Sequence, residues 1–242
     1  MRILIIGAGP AGSSTAISIL RNNPDAKVTL IDHRRIVGVP PRCAGGVSTY
    51  MLGKIGLKIP SKYVASPITR IRIYAPNQTF YEVSSNGSDY GYVLYRDKFD
   101  QYLASQAIKL GAELIQTHYT QTVGLIEKMP DFIIDARGYA ENHIGVLKQN
   151  VSREDLHFCL QNEVYWNHPK GLVSIYFDTG LIPHGYGWVF PSGQGRARIG
   201  LGTPISLKQQ LHARLKQFKE RIGADACPVE NLVGKVIPTA PP

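Results

Sequence analysis

"RILIIGAGPAGSSTAISILRN", residues 2–22, decides the reading of the fold. Residues 3–6 form a short, continuous apolar run of the kind that makes a parallel strand buried on both faces. Gly7-x-Gly9-x-x-Gly12 follows at once, then a helix of small residues over 13–20. Each glycine answers a separate demand. Gly7 makes the tight turn, Gly9 lets the backbone approach a pyrophosphate, and Gly12 lets helix and strand pack closely. The helix N-terminus then turns free N–H groups toward the phosphates. "AKVTLID" supplies a second strand ending in Asp32, twenty residues beyond Gly12, where an acid accepts hydrogen bonds from a ribose diol. Arg2 and the apolar residues behind it also look like the start of a secretory signal, but Gly7, Gly9, Pro10 and Gly12 interrupt that run. The stretch reads as a dinucleotide site.

The Gly-Pro-Ala-Gly form of the loop, with Pro10 and Ala11 before Gly12 and Ser13, favours FAD over NAD. Arg34 and Arg35 would suit the 2′-phosphate of NADP, but Asp32 would repel it. The next loop, "VGVPPRCAGGVS" at 37–48, combines two prolines with bare backbone at Gly45 and Gly46. Such glycines let a planar ring lie close to the chain. Cys43 in this loop fits a ligand, a nucleophile or, most simply, a small apolar filler.

Downstream, "ITRIRIYAP" and "QTFYEVS" alternate and flank a turn, which predicts a β-hairpin within about 68–90. "YVLYRDKFDQYLASQAIKLGAEL" reads as strand into helix, with Phe99, Leu103, Ala107 and Leu110 on one stripe and Gly111 at its end. Strands are expected at 112–117, 123–127 and 132–135, the first of them beside the "AKVTLID" strand. From Leu156 onward, "DLHFCLQNEVYW", "LVSIYFD", "YGWVFPSG" and "RARIGLGT" predict four strands of an antiparallel sheet. In the third, Tyr186, Trp188 and Phe190 share one face and Pro191 ends the alternation. That face is either core or the lining of an apolar site. Residues 206–222 form a basic amphipathic helix with Leu207, Leu211, Leu215, Phe218 and Ile222 on one stripe, suited to covering the sheet or to lying on a membrane surface.

The whole is an α/β protein: a Rossmann-like FAD-binding domain with a parallel sheet over 1–150, and an antiparallel β substrate domain over 151–242. Its 242 residues suffice for real cores, and 43% hydrophobic with 19% charged residues is the balance of a globular chain. A formal charge of +9 suits an anionic partner, but no dense basic tract or nucleic-acid module is present, so nucleic acid is not expected. Cys43, Cys159 and Cys227 are too few for a disulfide framework and favour a reducing, cytoplasmic setting. None of the seven histidines stands in an HxH or HxxxH pair, so no metal site is expected.

"GAGPAGSSTA", "PPRCAGGVS", "YRDKFDQYLASQAIKLGAEL" and "YGWVFP", in this order, resemble the geranylgeranyl reductase family, FAD enzymes of the p-hydroxybenzoate hydroxylase-like fold, and within it the archaeal digeranylgeranylglycerophospholipid reductases. The resemblance implies a flavoprotein oxidoreductase of lipid metabolism that saturates C=C bonds of geranylgeranyl chains in isoprenoid membrane lipids, at the cytoplasmic membrane surface. It implies FAD contacts from Arg42, Cys43, Ala44, Gly45 and Gly46, with Cys43 shaping the flavin's face as the candidate catalytic residue. It also implies contacts from Arg96, from the backbone near Thr120 to the adenine, and from the Asp-Ala-x-Gly turn of Asp135 and Gly138. Tyr186, Trp188, Phe190 and Pro191 would line the prenyl tunnel, and the electron donor would be external, such as NADPH or ferredoxin. In the family a Gly-Asp motif follows the segment resembling "GKVIPTAPP", whereas this sequence stops at Pro242. Three readings stay open: a truncated sequence, a split protein completed by a separate C-terminal chain, or a shortened protein that has lost catalysis. The competing readings are an aromatic monooxygenase or halogenase of the same fold, and a non-catalytic half-protein that binds FAD or lipid.

Overall fold

The apolar run becomes β1 (Arg2–Ile6), with Ile3, Leu4, Ile5 and Ile6 all buried. The computed structural model describes residues 1–117, 129–139 and 152–239. In it β1 lies between β2 (Lys27–Asp32) and β9 (Phe132–Asp135), with β8 (Glu113–Gln116) outside β2 as expected. All three pairings are parallel. The expected strand at 123–127 and Thr120 lie outside the described residues. Helix α1 (Pro10–Asn22) turns Ala16, Ile17 and Leu20 inward and packs against α3 (Arg96–Lys109), which buries Phe99, Leu103, Ala104 and Ala107. Leu110, expected on the same stripe, falls beyond the helix and is exposed, because Gly111 at φ +106° ends it there.

The chain divides into two compact units, Met1–Pro41 with Arg96–Gln149 and Arg42–Tyr95 with Asn150–Pro242. This differs from the contiguous split at 150. The hairpin β5 (Arg70–Tyr74) and β6 (Phe80–Ser84) forms as the alternation predicts, but it does not belong to the nucleotide unit. β5 pairs in parallel with β11 (Leu172–Tyr176), a long-range pairing that local periodicity does not encode.

The second unit is built on a seven-stranded sheet in the order β14-β10-β13-β12-β11-β5-β6. Its other members are β10 (Leu156–Tyr165), β12 (Tyr186–Gly193), β13 (Arg196–Pro204) and β14 (Val229–Pro238). All of its pairings except β5 with β11 are antiparallel. A smaller sheet orders β3 (Gly46–Ser48), β7 (Gly91–Leu94) and β4 (Val64–Ile68), with the short helix α2 (Thr49–Lys54) after β3. Ile68 and Val93 of the small sheet pack with Val173, Ile71, Ile175 and Phe190 of the large one.

The helix expected over 206–222 is a 3-10 turn (Ile205–Gln210) followed by α4 (Leu211–Arg221). Its stripe is spent on the sheet. Leu211, Leu215 and Phe218 are buried among Leu160, Val164, Val189, Ile199 and Leu201. An apolar face used in this way is not available to a membrane, so the surface-helix reading of this segment does not hold. Among the described residues no helix is long and apolar enough to cross a membrane.

Candidate active site

In the nucleotide unit, the C-terminal ends of β1, β2 and β9 meet at one edge. Gly7, at φ +103°, donates its N–H to the Ile31 carbonyl at 2.7 Å, and a Cβ there would strike the backbone of Ala136. A Cβ at Gly12 would strike the Gly7 carbonyl, so this glycine sets how closely α1 approaches β1. Gly9 is different: its φ of −66° is open to any residue, and a Cβ there would meet nothing within 4 Å. The turn and the close packing explain Gly7 and Gly12 from the protein alone, but nothing in the protein requires Gly9 to be bare. Gly9 is the N-cap of α1, with no side-chain cap and no acid in the first turn, which leaves the positive end of the helix dipole to a ligand. Pro10 and Ala11 open the helix, and Ser13 Oγ donates to the Ala8 carbonyl at 2.9 Å, tying the first turn to the loop.

Asp32 is buried. Its Oδ2 accepts the Ala8 N–H at 2.9 Å and its Oδ1 accepts the Arg34 N–H at 2.8 Å. The carboxylate thus shapes the glycine loop directly, a role its spacing does not announce. Gln116, at the end of β8, donates Nε2 to the Arg35 carbonyl at 2.6 Å and fixes the segment after Asp32. In the Asp-Ala-x-Gly turn, Asp135 holds the Arg137 guanidinium at 2.9 and 2.7 Å, and the Arg137 hydrogen bonds keep its carboxyl below the usual range. Gly138 takes φ +74°. Arg96, at the start of α3, grips Asp100 through two hydrogen bonds of 2.9 and 3.0 Å, so its guanidinium is oriented by its own helix.

In the second unit, the loop from Arg42 to Gly46 meets the aromatic strand. Arg42 and Cys43 are exposed, and Cys43 Sγ accepts the Gly45 N–H at 3.4 Å. Gly45 stands at φ +94°, and a Cβ there would lie 2.8 Å from the Leu94 carbonyl and 2.9 Å from Arg198 Nη1. A Cβ at Gly46 would lie 2.7 Å from the Phe190 ring. The Phe190 end of the strand therefore supports the loop, and Pro191 is buried behind it.

Arg198 holds this arrangement together. Its Nη1 donates to the Ala44 carbonyl at 3.0 Å and the Leu94 carbonyl at 3.2 Å, and its Nε faces Glu163 at 3.3 Å. Both side chains are buried, so each charge depends on the other. Sequence reasoning missed this pair because it spans two strands whose register is set only on folding. The one available signal was a second arginine, Arg198, on the strand face of the run "RARIGLGT" that also carries Gly200 and Gly202.

Trp188 is buried and donates Nε1 to Gln161 Oε1 at 3.1 Å. Its ring lies over Gly200, where any side chain would collide with it, and beside Gly202, where a Cβ would come 2.8 Å from Cys159 Sγ. Tyr186 and Phe177, at the outer end, are 44% and 48% exposed, their rings 6.1 Å apart. Burial pushes the Cys159 thiol up to about 11, with Cys43 adding to it, and burial raises the Tyr186 hydroxyl too. Both groups hold their protons at neutral pH. Among the described residues no group of three His, Cys, Asp or Glu side chains is placed to hold a metal ion.

Residues 155–236 match the model of the geranylgeranyl reductase catalytic domain. Digeranylgeranylglycerophospholipid reductase 2 of Methanopyrus kandleri is 30% identical, over 97% of this chain and 64% of its own length. The digeranylgeranylglycerophospholipid reductase of Methanosarcina acetivorans is 31% identical, over 98% and 60%. The chain thus spans about three fifths of the length of these relatives. Among solved structures, a geranylgeranyl bacteriochlorophyll reductase-like protein of Thermoplasma acidophilum superposes with a TM-score of 0.83 at 25% identity, covering 99% of this chain and 66% of that one. A flavin-dependent brominase superposes at 0.69 with 14% identity, covering 97% and 67%, a likeness of fold alone.

Proposed function

We propose that this chain, a relative of the geranylgeranyl reductases, holds FAD and a prenyl lipid and saturates C=C bonds of geranylgeranyl chains in archaeal-type membrane lipids or their precursors. The observation that carries the reading is the construction of the Tyr-x-Trp-x-Phe strand. Trp188 is fixed by Gln161 over two glycines, on the sheet face opposite α4, inside the segment that matches the catalytic domain. That buried ring, edged by the half-exposed Tyr186, supports an apolar wall for a polyprenyl chain at this end of the strand.

The nucleotide unit fits FAD. Bare Gly9 and the uncapped start of α1 would receive the pyrophosphate. Asp32, and the turn at Asp135 and Gly138, frame the same strand edge. Flavin held there in its reduced form would supply a hydride to one alkene carbon while a proton reaches the other, and its electrons would come from an external donor such as NADPH or ferredoxin. The protein's share is orientation and exclusion of water. Arg198 fixes the Ala44 carbonyl and hence the Cys43–Gly46 backbone, Phe190 supports Gly46, and Tyr186 Oη and Cys159 Sγ keep their protons beside Trp188. The brominase shares the fold, but the match at 155–236 favours the reductase over a halogenase or monooxygenase.

Gly9→Val separates ligand from fold, because the protein has both the backbone angle and the space for the side chain. The expected result is FAD-induced thermal stabilisation and visible flavin absorbance in the parent and neither in the variant, with the two apo forms within about 1 kcal/mol of each other, the cost of valine at an N-cap. Equal FAD binding by both would refute the assignment of the pyrophosphate to Gly9. Failure of the flavin-loaded, chemically reduced protein to add hydrogen to a digeranylgeranyl lipid would refute the reductase reading.

A further inference from the structure

α2 and its C-cap residue leave three large apolar side chains uncovered. Tyr50, Met51 and Ile55 are 67%, 56% and 68% exposed, although three such residues within six positions would ordinarily face a core. The stretch of chain that carries them is basic. From residue 42 to residue 68 the sequence carries Arg42, Lys54, Lys58 and Lys62 and neither aspartate nor glutamate. Lys54 Nζ sits 4.8 Å from the centre of the Tyr50 ring, so cation and aromatic are presented together. Asp89 brings one negative charge to the rim, where its carbonyl accepts a hydrogen bond from Thr49 Oγ1 at 2.8 Å, and Tyr90, 37% exposed, lies next to it.

We infer that α2 and the segment through Lys62 form a docking surface for an anionic lipid membrane. The apolar side chains would enter the headgroup boundary and the lysines would meet lipid phosphates. A polar protein partner would leave Met51 and Ile55 unpaid, and a purely apolar one would leave the lysines without counter-charge; an anionic bilayer answers both. The helix begins three residues after Gly46, so a bilayer surface bound there adjoins the loop ending in Gly46. The inference stands apart from the reductase reading, since docking needs no turnover.

Flotation with phosphatidylcholine vesicles, with and without phosphatidylglycerol, tests it. The protein is expected to float with the anionic vesicles and less so as salt rises. Tyr50→Ser/Met51→Ser/Ile55→Ser and, separately, Lys54→Glu/Lys58→Glu should each lower the bound fraction about tenfold or more, with unchanged thermal midpoints. Undiminished binding by either variant overturns the inference. So does an absence of vesicle binding, whether the protein stays monomeric or self-associates through Tyr50, Met51 and Ile55. Vesicle binding without lipid reduction leaves the docking surface standing and removes only the reductase reading.

Discussion

The two faces of the seven-stranded sheet come from the same strands by the same alternation, and they bury different things. Under α4 the residues are Leu160, Val164, Val189, Ala197, Ile199 and Leu201, closed by Leu211, Leu215 and Phe218. On the opposite face the same strands present Cys159, Gln161, Glu163, Trp188, Arg198, Gly200 and Gly202. One face is interdigitated hydrocarbon. The other mixes a tethered indole, bare backbone and a buried ion pair. A protein seeking only stability gains nothing from that second composition, because glycines in strands weaken them and a buried ion pair seldom outperforms an apolar replacement.

The largest expected effect lies on the α4 face. Phe218→Ala should cost about 3–5 kcal/mol in urea unfolding through the cavity it leaves. The protein that remains folded should keep its substrate preference. A change in that preference would break the distinction between the faces. On the other face, Glu163→Gln strands the Arg198 charge and should cost about 3 kcal/mol. The double change Glu163→Leu/Arg198→Met should restore most of that stability while freeing the Ala44 carbonyl, so turnover should stay low although the fold recovers. Recovery of both would reduce the pair to a structural device.

Trp188→Phe removes the hydrogen bond to Gln161 and part of the ring over Gly200, at about 1 kcal/mol of stability. Turnover of a long prenyl substrate should fall about tenfold, as for a mispositioned substrate, with FAD binding unchanged. Full turnover together with a large loss of stability would make Trp188 an ordinary core residue. The smallest effect belongs to Tyr186→Phe. Its ring is nearly half exposed, so stability should move by less than about 0.5 kcal/mol. Any kinetic change then reports on the hydroxyl.

Local signals in the sequence were enough for the first forty residues of the nucleotide unit, though not for its boundaries. Residues 3–6, the three glycines and Asp32 lie within one strand-turn-helix-strand unit, where spacing and geometry are the same information. The aromatic alternation of Tyr186, Trp188 and Phe190 was legible for the same reason, but its division of labour was not. Phe190 serves the Gly46 loop, Trp188 is held by Gln161 and Tyr186 stays half exposed, and each of these depends on which strand lies beside which. The Arg198–Glu163 pair and the pairing of β5 with β11 were hidden by the same non-locality. The stripe on α4 was visible, but periodicity says only that a helix has an apolar face and not what covers it.

The parallel pairing of β5 with β11 also sets a timetable. Arg70 finds its partner Leu172 only after roughly a hundred further residues have been made, so during synthesis the β5–β6 hairpin emerges with one edge open. That edge carries the alternating isoleucines of "RIRIY", a sticky template for other chains while it waits. Expression of this protein should therefore respond to temperature and chaperone supply through this hairpin, independently of how stable the finished sheet is.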